Sequence, residues 1–311
     1  MDIESFMPDE EECYKLLREM RWPDGVRCVY CGSEHVVRTG RWRDTPNQRY
    51  HCRSCDKWFN DKTGTIFQDT RLPLRVWFFV AFMLQFKVSI LEISKTVGIN
   101  YKSAFHMVKR LRSTVYGKNI SDKLRGVVEM DEAYVKAGSK GKKELNREAR
   151  KRGLKTKGRG TYDTDKVPVI AIVERGGGLS IQPHRNVKSK VVLKRYLRDI
   201  DPDAVVYTDD YVSYNILPDD KHESVNHAIG EYSKGGGVHI NTVEAEFSIY
   251  RPWMATFRGV SKKNLYLYTA HYQFIRLNRE MNPVGRMLAM VKLLRILWLD
   301  TIFCHKFVIN N

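Results

Sequence analysis

Gly126-Val-Val-Glu-Met-Asp131 and Ala204-Val-Val-Tyr-Thr-Asp209 each carry an apolar, valine-rich run into an aspartate. Short runs of this kind read as buried strands, and the closing aspartates put two carboxylates at strand ends. A third acid, Glu244 in Asn241-Thr-Val-Glu244, falls where a helix begins. Val167 to Glu174 reads as a further strand, glycines 176 to 178 as a hairpin turn into Leu179 to Gln182, and Val187 to Ile200 as an amphipathic helix. The order strand, hairpin, helix, strand, helix predicts a ribonuclease-H-like α/β domain. In such a domain, carboxylates from the first strand, a later strand and a helix meet at one sheet edge.

Three crowded acids suit two magnesium or manganese ions, because hard divalent cations prefer carboxylate oxygens and relieve the repulsion between them. Asp131 is the expected bridging ligand, with Asp209 and Glu244 each completing one ion's shell. The residues by themselves leave the choice open. Glu129, Glu132, Asp210 and Glu246 are close neighbours, Glu129 shares a strand face with Asp131, and Glu244 could pair with Asn241 in a capping box.

The chain has 311 residues, 53 Lys and Arg against 36 Asp and Glu, and a net charge of +17. That balance favours a polyanionic partner. The acidic start Met1-Asp-Ile-Glu4 has no signal-peptide character, and the apolar run from Leu72 to Phe86 is too short to span a bilayer. No membrane role is expected, and the working compartment is read as the cytoplasm.

Cys28-Val-Tyr-Cys31 and Cys52-Arg-Ser-Cys55 form two knuckles with 20 residues between them, a spacing that predicts one structural zinc bound by four thiolates. Strand-like segments at Glu34 to Thr39 and Gln48 to His51 make the module a zinc ribbon. Its basic and aromatic residues, among them Trp42, Arg49, Tyr50 and Trp58, serve either as a phosphate-binding face or as the core of a small module. Next come an apolar helix from Leu74 to Phe86, a short helix from Ile90 to Val97, a turn at Gly98, and a helix capped by Asn100. This predicts a helix-turn-helix whose second helix buries Ala104, Val108 and Leu111. Tyr101, Lys102, Ser103, His106, Lys109 and Arg110 are then offered to DNA.

The expected chain is therefore multidomain α/β. It comprises an N-terminal segment (1–19), a zinc ribbon (20–68), a helix-turn-helix (69–120), a catalytic domain (121–280) with a basic insertion (136–166), and a C-terminal helical tail (281–311).

Further stretches are Asp61-Lys-Thr-Gly-Thr-Ile-Phe67, Val225-Asn-His227, Val238-His-Ile-Asn-Thr-Val-Glu244 and Phe257-Arg-Gly-Val-Ser-Lys-Lys263. With the knuckles and the aspartate runs, they resemble in order the zinc-ribbon group of insertion-sequence DDE transposases (ISXO2-like), relatives of the Merlin elements. The resemblance implies that Asp131, Asp209 and Glu244 are the acidic triad. It further implies binding to terminal inverted repeats, metal-dependent strand cleavage and strand transfer by at least a dimer on DNA. His227, His239, Asn241 and Arg251 fall at auxiliary positions. Arg251 is followed by Pro252, which is expected to break the helix early and displace the arginine. The competing readings are a non-catalytic DNA-binding regulator and a ribonuclease-H-like nuclease.

Overall fold

The computed structural model describes residues 7–116, 123–139, 159–226, 229–231 and 233–293. They form two compact units, one made of the residues up to Thr114 together with those from Glu280, the other of Val115 to Arg279.

The first unit opens with helix α1 (Glu10–Arg21), which the sequence reading left without an element. Its start is a capping box: the Asp9 carboxylate accepts from Glu12 N at 2.8 Å, and the Glu12 carboxylate from Asp9 N at 3.0 Å. Strands β1 (Val36–Arg41), β2 (Gln48–Cys52) and β3 (Trp58–Asn60) form an antiparallel sheet in that order. Tyr50 stacks on Phe59 with centroids 5.1 Å apart, and Trp22 meets Tyr50 edge-on at 5.5 Å. These rings are the ribbon's core. Trp42 and Trp58 lie outside, with the Arg49 guanidinium 5.2 Å from each ring. The aromatics thus divide between a core set and an exposed set.

Asp61 is buried and ties α1 to the sheet. Its carboxylate accepts from Arg18 at 2.8 Å, the Tyr50 hydroxyl at 2.9 Å and Gln48 N at 2.7 Å. A buried carboxylate needs that many donors, which gives Asp61 a structural part in the ribbon.

Helix α2 (Leu74–Met83) is apolar on most of its surface, and both α1 and the later helix α8 (Pro283–Lys292) pack against it. The described part of the expected C-terminal tail thus belongs to the first unit. Residues 294–311, including Cys304, lie outside the described residues. Helix α3 (Ile90–Val97) ends at Gly98, whose φ of +69° makes the left-handed cap. Helix α4 (Tyr101–Tyr116) begins with the Asn100 side chain accepting from Ser103 N at 2.8 Å.

The second unit is built on strands β4 (Val127–Gly138), β5 (Lys166–Glu174), β6 (Leu179–Pro183), β7 (Val205–Asp209) and β8 (His222–Val225). Their order is β6-β5-β4-β7-β8, antiparallel from β6 to β4 and parallel from β4 to β8. Helix α5 (Ser189–Asp199) covers one face over Val128, Met130 and Ile172. Helices α6 (Asn241–Ala255) and α7 (Leu265–Leu277) cover the other over Ala133, Val169 and Ala171. This mixed sheet with helices on both faces is the arrangement that the ribonuclease-H-like expectation calls for.

Three expectations need correction. Asp131 does not end its strand: β4 runs on to Gly138 because β5 pairs with it from Val128 to Lys136. The strand that ends nearby is the parallel neighbour β7, whose pairing with β4 stops at Glu129. From there, among the described residues, β4 has no partner on that edge until Ala137 meets the short strand β9 (Val260–Ser261). The insertion is correspondingly narrower than 136–166, and its residues 140–158 lie outside the described residues. Pro252 does not break α6, which continues to Ala255. Among the described residues, no helix is long and apolar enough to cross a membrane.

Candidate active site and structural metal centre

The open edge of β4 is where the acids gather. Carboxylate oxygens of Asp131, Glu132 and Asp209 all lie within 4.8 Å of one another. Glu244 stands outside that group, exposed on the first turn of α6, yet its charge acts on Asp131. Burial, then the charges of Glu132, Asp209 and Glu244, push the Asp131 carboxyl up from 3.8 to about 8. Burial and Glu132 raise Asp209 to about 6, against the pull of the Tyr211 amide, which donates to it at 3.2 Å. Crowded oxygen donors that resist ionising together fit a hard divalent cation, whose charge removes the repulsion.

Two residues of this site were not singled out from sequence. Strand alternation sends Glu132 away from Asp131, but the unpaired edge of β4 lets both carboxylates reach the same place. Glu132 accepts from the Tyr214 hydroxyl at 2.7 Å and from Arg159 Nε at 3.3 Å. The Arg159 guanidinium also lies 3.7 Å from Asp209 and 3.5 Å from the centre of the Tyr211 ring, balancing part of the negative charge. Arg159 is one basic residue among many in its stretch, and no local pattern marks it.

The competing acids have other work. Glu129, fully buried, accepts from Thr242 N at 2.7 Å, Val243 N at 3.0 Å, Thr242 Oγ1 at 2.9 Å and Arg175 Nε at 2.7 Å. It caps α6 from the neighbouring strand. The capping position itself is Ile240, without a side-chain bond, so Asn241 and Glu244 do not form the alternative capping box. Glu246 is held by Arg276 at 2.9 Å and by Tyr272. Asp210 is exposed.

Of the auxiliary positions, His227 lies outside the described residues. His239 Nδ1 receives Arg175 Nη2 at 3.0 Å, which engages that nitrogen in holding the loop before α6. Asn241 is exposed at the helix start, and Arg251 is exposed with its guanidinium 5.7 Å from the Phe247 ring centre.

The cysteines form the second centre. Sγ atoms of Cys28, Cys31, Cys52 and Cys55 all lie within 4.8 Å of one another, with 3.6 Å between Cys28 and Cys55 and between Cys31 and Cys52. A zinc tetrahedron with bonds of about 2.3 Å has edges of about 3.8 Å, so the quartet fits the ion. Each knuckle turns through a residue at positive φ, Gly32 at +76° and Asp56 at +58°. His51 is bonded to Asp56 at 2.7 Å and stacks on Trp58, while His35 is exposed, so neither histidine belongs to the thiolate cluster.

On α4, Tyr101, Lys102, His106 and Arg110 are exposed and Ser103 and Lys109 partly so, while Ala104, Met107, Val108 and Leu111 are buried. Arg110 has a structural bond as well, donating to the Ile66 carbonyl at 2.9 Å.

Residues 123–278 match the ISXO2-like transposase domain, and residues 8–57 the transposase zinc-ribbon domain. An uncharacterized protein in transposable element ISH50 of Halobacterium salinarum is 37% identical over 281 residues, covering 89% of this chain and 93% of that protein. Crystal structures of the Mos1 strand transfer complex and of the Mos1 mariner paired end complex with Mn cover 65% of this chain and 73% and 74% of theirs. Both are 12% identical to it with TM-scores of 0.25 and 0.22, a likeness too slight to bear on fold or function. With both domain models matched in order and a relative similar along nearly its whole length, the chain belongs to the ISXO2-like, zinc-ribbon family of insertion-sequence DDE transposases.

Proposed function

We propose that the protein binds the terminal inverted repeats of its element and catalyses divalent-metal-dependent strand cleavage and strand transfer. The observation that carries this reading is the meeting of Asp131 and Asp209 at the open edge of β4, with Glu244 acting on Asp131 from the facing helix. Two magnesium or manganese ions held there would lend Lewis-acid charge to the attacking and leaving oxygens of an in-line displacement. Asp131, Asp209 and Glu244 are the residues that would hold these ions. Glu132, fixed by Tyr214, adds negative charge beside them. Helices α3 and α4 act as a helix-turn-helix, α4 offering Tyr101, Lys102, Ser103, His106, Lys109 and Arg110 to the groove. The ribbon's Arg49, Trp42 and Trp58 add a basic, aromatic face. Joining two ends to a target calls for at least two copies on DNA.

The test is cleavage of a duplex bearing the element's own ends, with magnesium or manganese. Alanine at Asp131, Asp209 or Glu244 is expected to abolish cleavage and leave end-binding intact. Normal cleavage by all three variants would refute the mechanism. Binding without cleavage by the unaltered protein, under any divalent metal, would favour the regulator. Cutting of branched DNA without joining would favour the nuclease.

A further inference from the structure

Arg175, partly exposed, and Glu129, buried, are more than an ion pair, because their bonds converge on the start of α6. The Arg175 guanidinium uses all three nitrogens. Nε donates to Glu129 at 2.7 Å, Nη1 to the Gly237 carbonyl at 3.0 Å, and Nη2 to the His239 carbonyl at 2.9 Å as well as to His239 Nδ1. Its plane also lies 5.0 Å from the centre of the Tyr207 ring on β7. Glu129 in turn receives the first free amides of α6, from Thr242 and Val243. Those amides are the positive end of the helix, and a carboxylate there is favoured both as acceptor and as charge. Glu129 is two residues from Asp131 on β4, and Val243 is next to Glu244. The bonds therefore connect the strand that carries one acid directly to the helical turn that carries another.

We propose that Glu129 and Arg175 form a positioning clamp that fixes Glu244 relative to Asp131 and Asp209. The clamp sets the affinity of the site for its second divalent cation. It touches neither ion nor DNA. The proposal rests on the metal-dependent reading above.

The chemistry predicts which substitutions break the clamp. Glutamine at position 129 keeps the size but replaces one acceptor oxygen with a donor. That donor would face the helix amides or Arg175, which are donors themselves. Thr242→Val is milder, removing the hydroxyl bond and leaving both amide bonds.

The experiment has three readouts on the full-length chain: hydrogen exchange of the 240–248 segment, manganese binding by electron paramagnetic resonance, and cleavage of end DNA against manganese concentration. Glu129→Gln and Arg175→Lys are expected to expose the Thr242 and Val243 amides to exchange. Both should weaken the second manganese ion about tenfold and raise the half-maximal manganese concentration for cleavage to match. Saturating manganese should restore most of the rate, and end-binding should be unchanged. Asp131→Asn should lose cleavage at every concentration. Thr242→Val, which keeps the fold if the other two do not, should shift the manganese midpoint a few-fold.

A folded Glu129→Gln with parental exchange and a parental manganese midpoint would overturn the clamp. So would a loss of cleavage in Thr242→Val that manganese cannot rescue. If the unaltered chain binds two manganese ions but never cleaves, the catalytic reading fails while the clamp is still judged by exchange and binding. If it binds no manganese, both fail.

Discussion

Asp131 holds its proton to about 8 and Asp209 to about 6, whereas an ordinary aspartate ionises near 3.8. Between those values, the folded chain binds more protons than the unfolded one, so stability is highest at the acid end and falls as pH rises. Divalent cations displace the same protons, and their stabilising effect must grow over the same window. The melting temperature of the zinc-loaded protein, with no other metal added, is expected to fall between about pH 4 and pH 8. Manganese should reverse the fall. Asp131→Asn removes the ionisation, so at pH 8 without manganese it should melt roughly 2–4 °C above the parent, the shift of ~1 kcal/mol in a domain of this size. It should gain little on adding manganese; a full manganese response in that variant would remove Asp131 from the metal site. At this scale the sequence was partly readable. The valine-rich runs pointed to the neighbourhoods of Asp131 and Asp209, but choosing them over Glu129 and Asp210 took the ordered family motifs. Glu132 could not be picked out, since its approach to Asp131 depends on where a different strand stops.

At the scale of elements, short-range chemistry was the readable part. Gly98 and Asn100 marked the α3–α4 turn, and glycines 176 to 178 the β5–β6 hairpin, because left-handed caps and side-chain caps are written in adjacent residues. Strand β3 was missed because it has three residues, and the end of β4 because pairing with β5, distant in sequence, determines it. Two helices carry predictions. Pro252 lies within α6 and cannot donate to the Ser248 carbonyl one turn earlier. Pro252→Ala is therefore expected to stabilise the protein by ~1 kcal/mol, the worth of one backbone hydrogen bond, and to leave cleavage unchanged. A melting temperature lower than the parent's would show that the helix is built around the proline. On α4, Lys102→Ala should weaken end-binding and reduce the slope of log affinity against log salt by about one, without changing the melting temperature. Arg110→Ala should lower stability as well, because the Ile66 and Gln68 carbonyls lose their donor. Identical melting curves for the two variants would argue against that division of labour.

Across the whole molecule, the two metal chemistries fall in different units: the four thiolates lie in the first unit, and the acids in Val115 to Arg279. The sequence pointed to both groups of residues, but not to the packing of α8 on α2 in the first unit, since a helix about 200 residues away leaves no local mark on its partner. The ribbon has a small apolar core of Tyr50 and Phe59 with Trp22 against them, so zinc must supply much of what holds it. One zinc per chain is expected by elemental analysis. Serine at any of Cys28, Cys31, Cys52 or Cys55 should remove it, together with the near-ultraviolet circular dichroism of the stacked aromatic rings. DNA end-binding should fall with it, because the ribbon's Arg49, Trp42 and Trp58 keep their positions through the same sheet. Asp131→Asn should do the opposite, keeping zinc and end-binding while losing cleavage. The manganese-dependent rise in melting temperature separates the two: it should persist in the cysteine variants, whose carboxylates are untouched, and vanish in Asp131→Asn. If Cys52→Ser kept its zinc and bound ends normally, the thiolate cluster would lose its structural role. If the cysteine variants lost the manganese response along with zinc, the acids would depend on the ribbon, and the assignment of each metal to its own unit would fail.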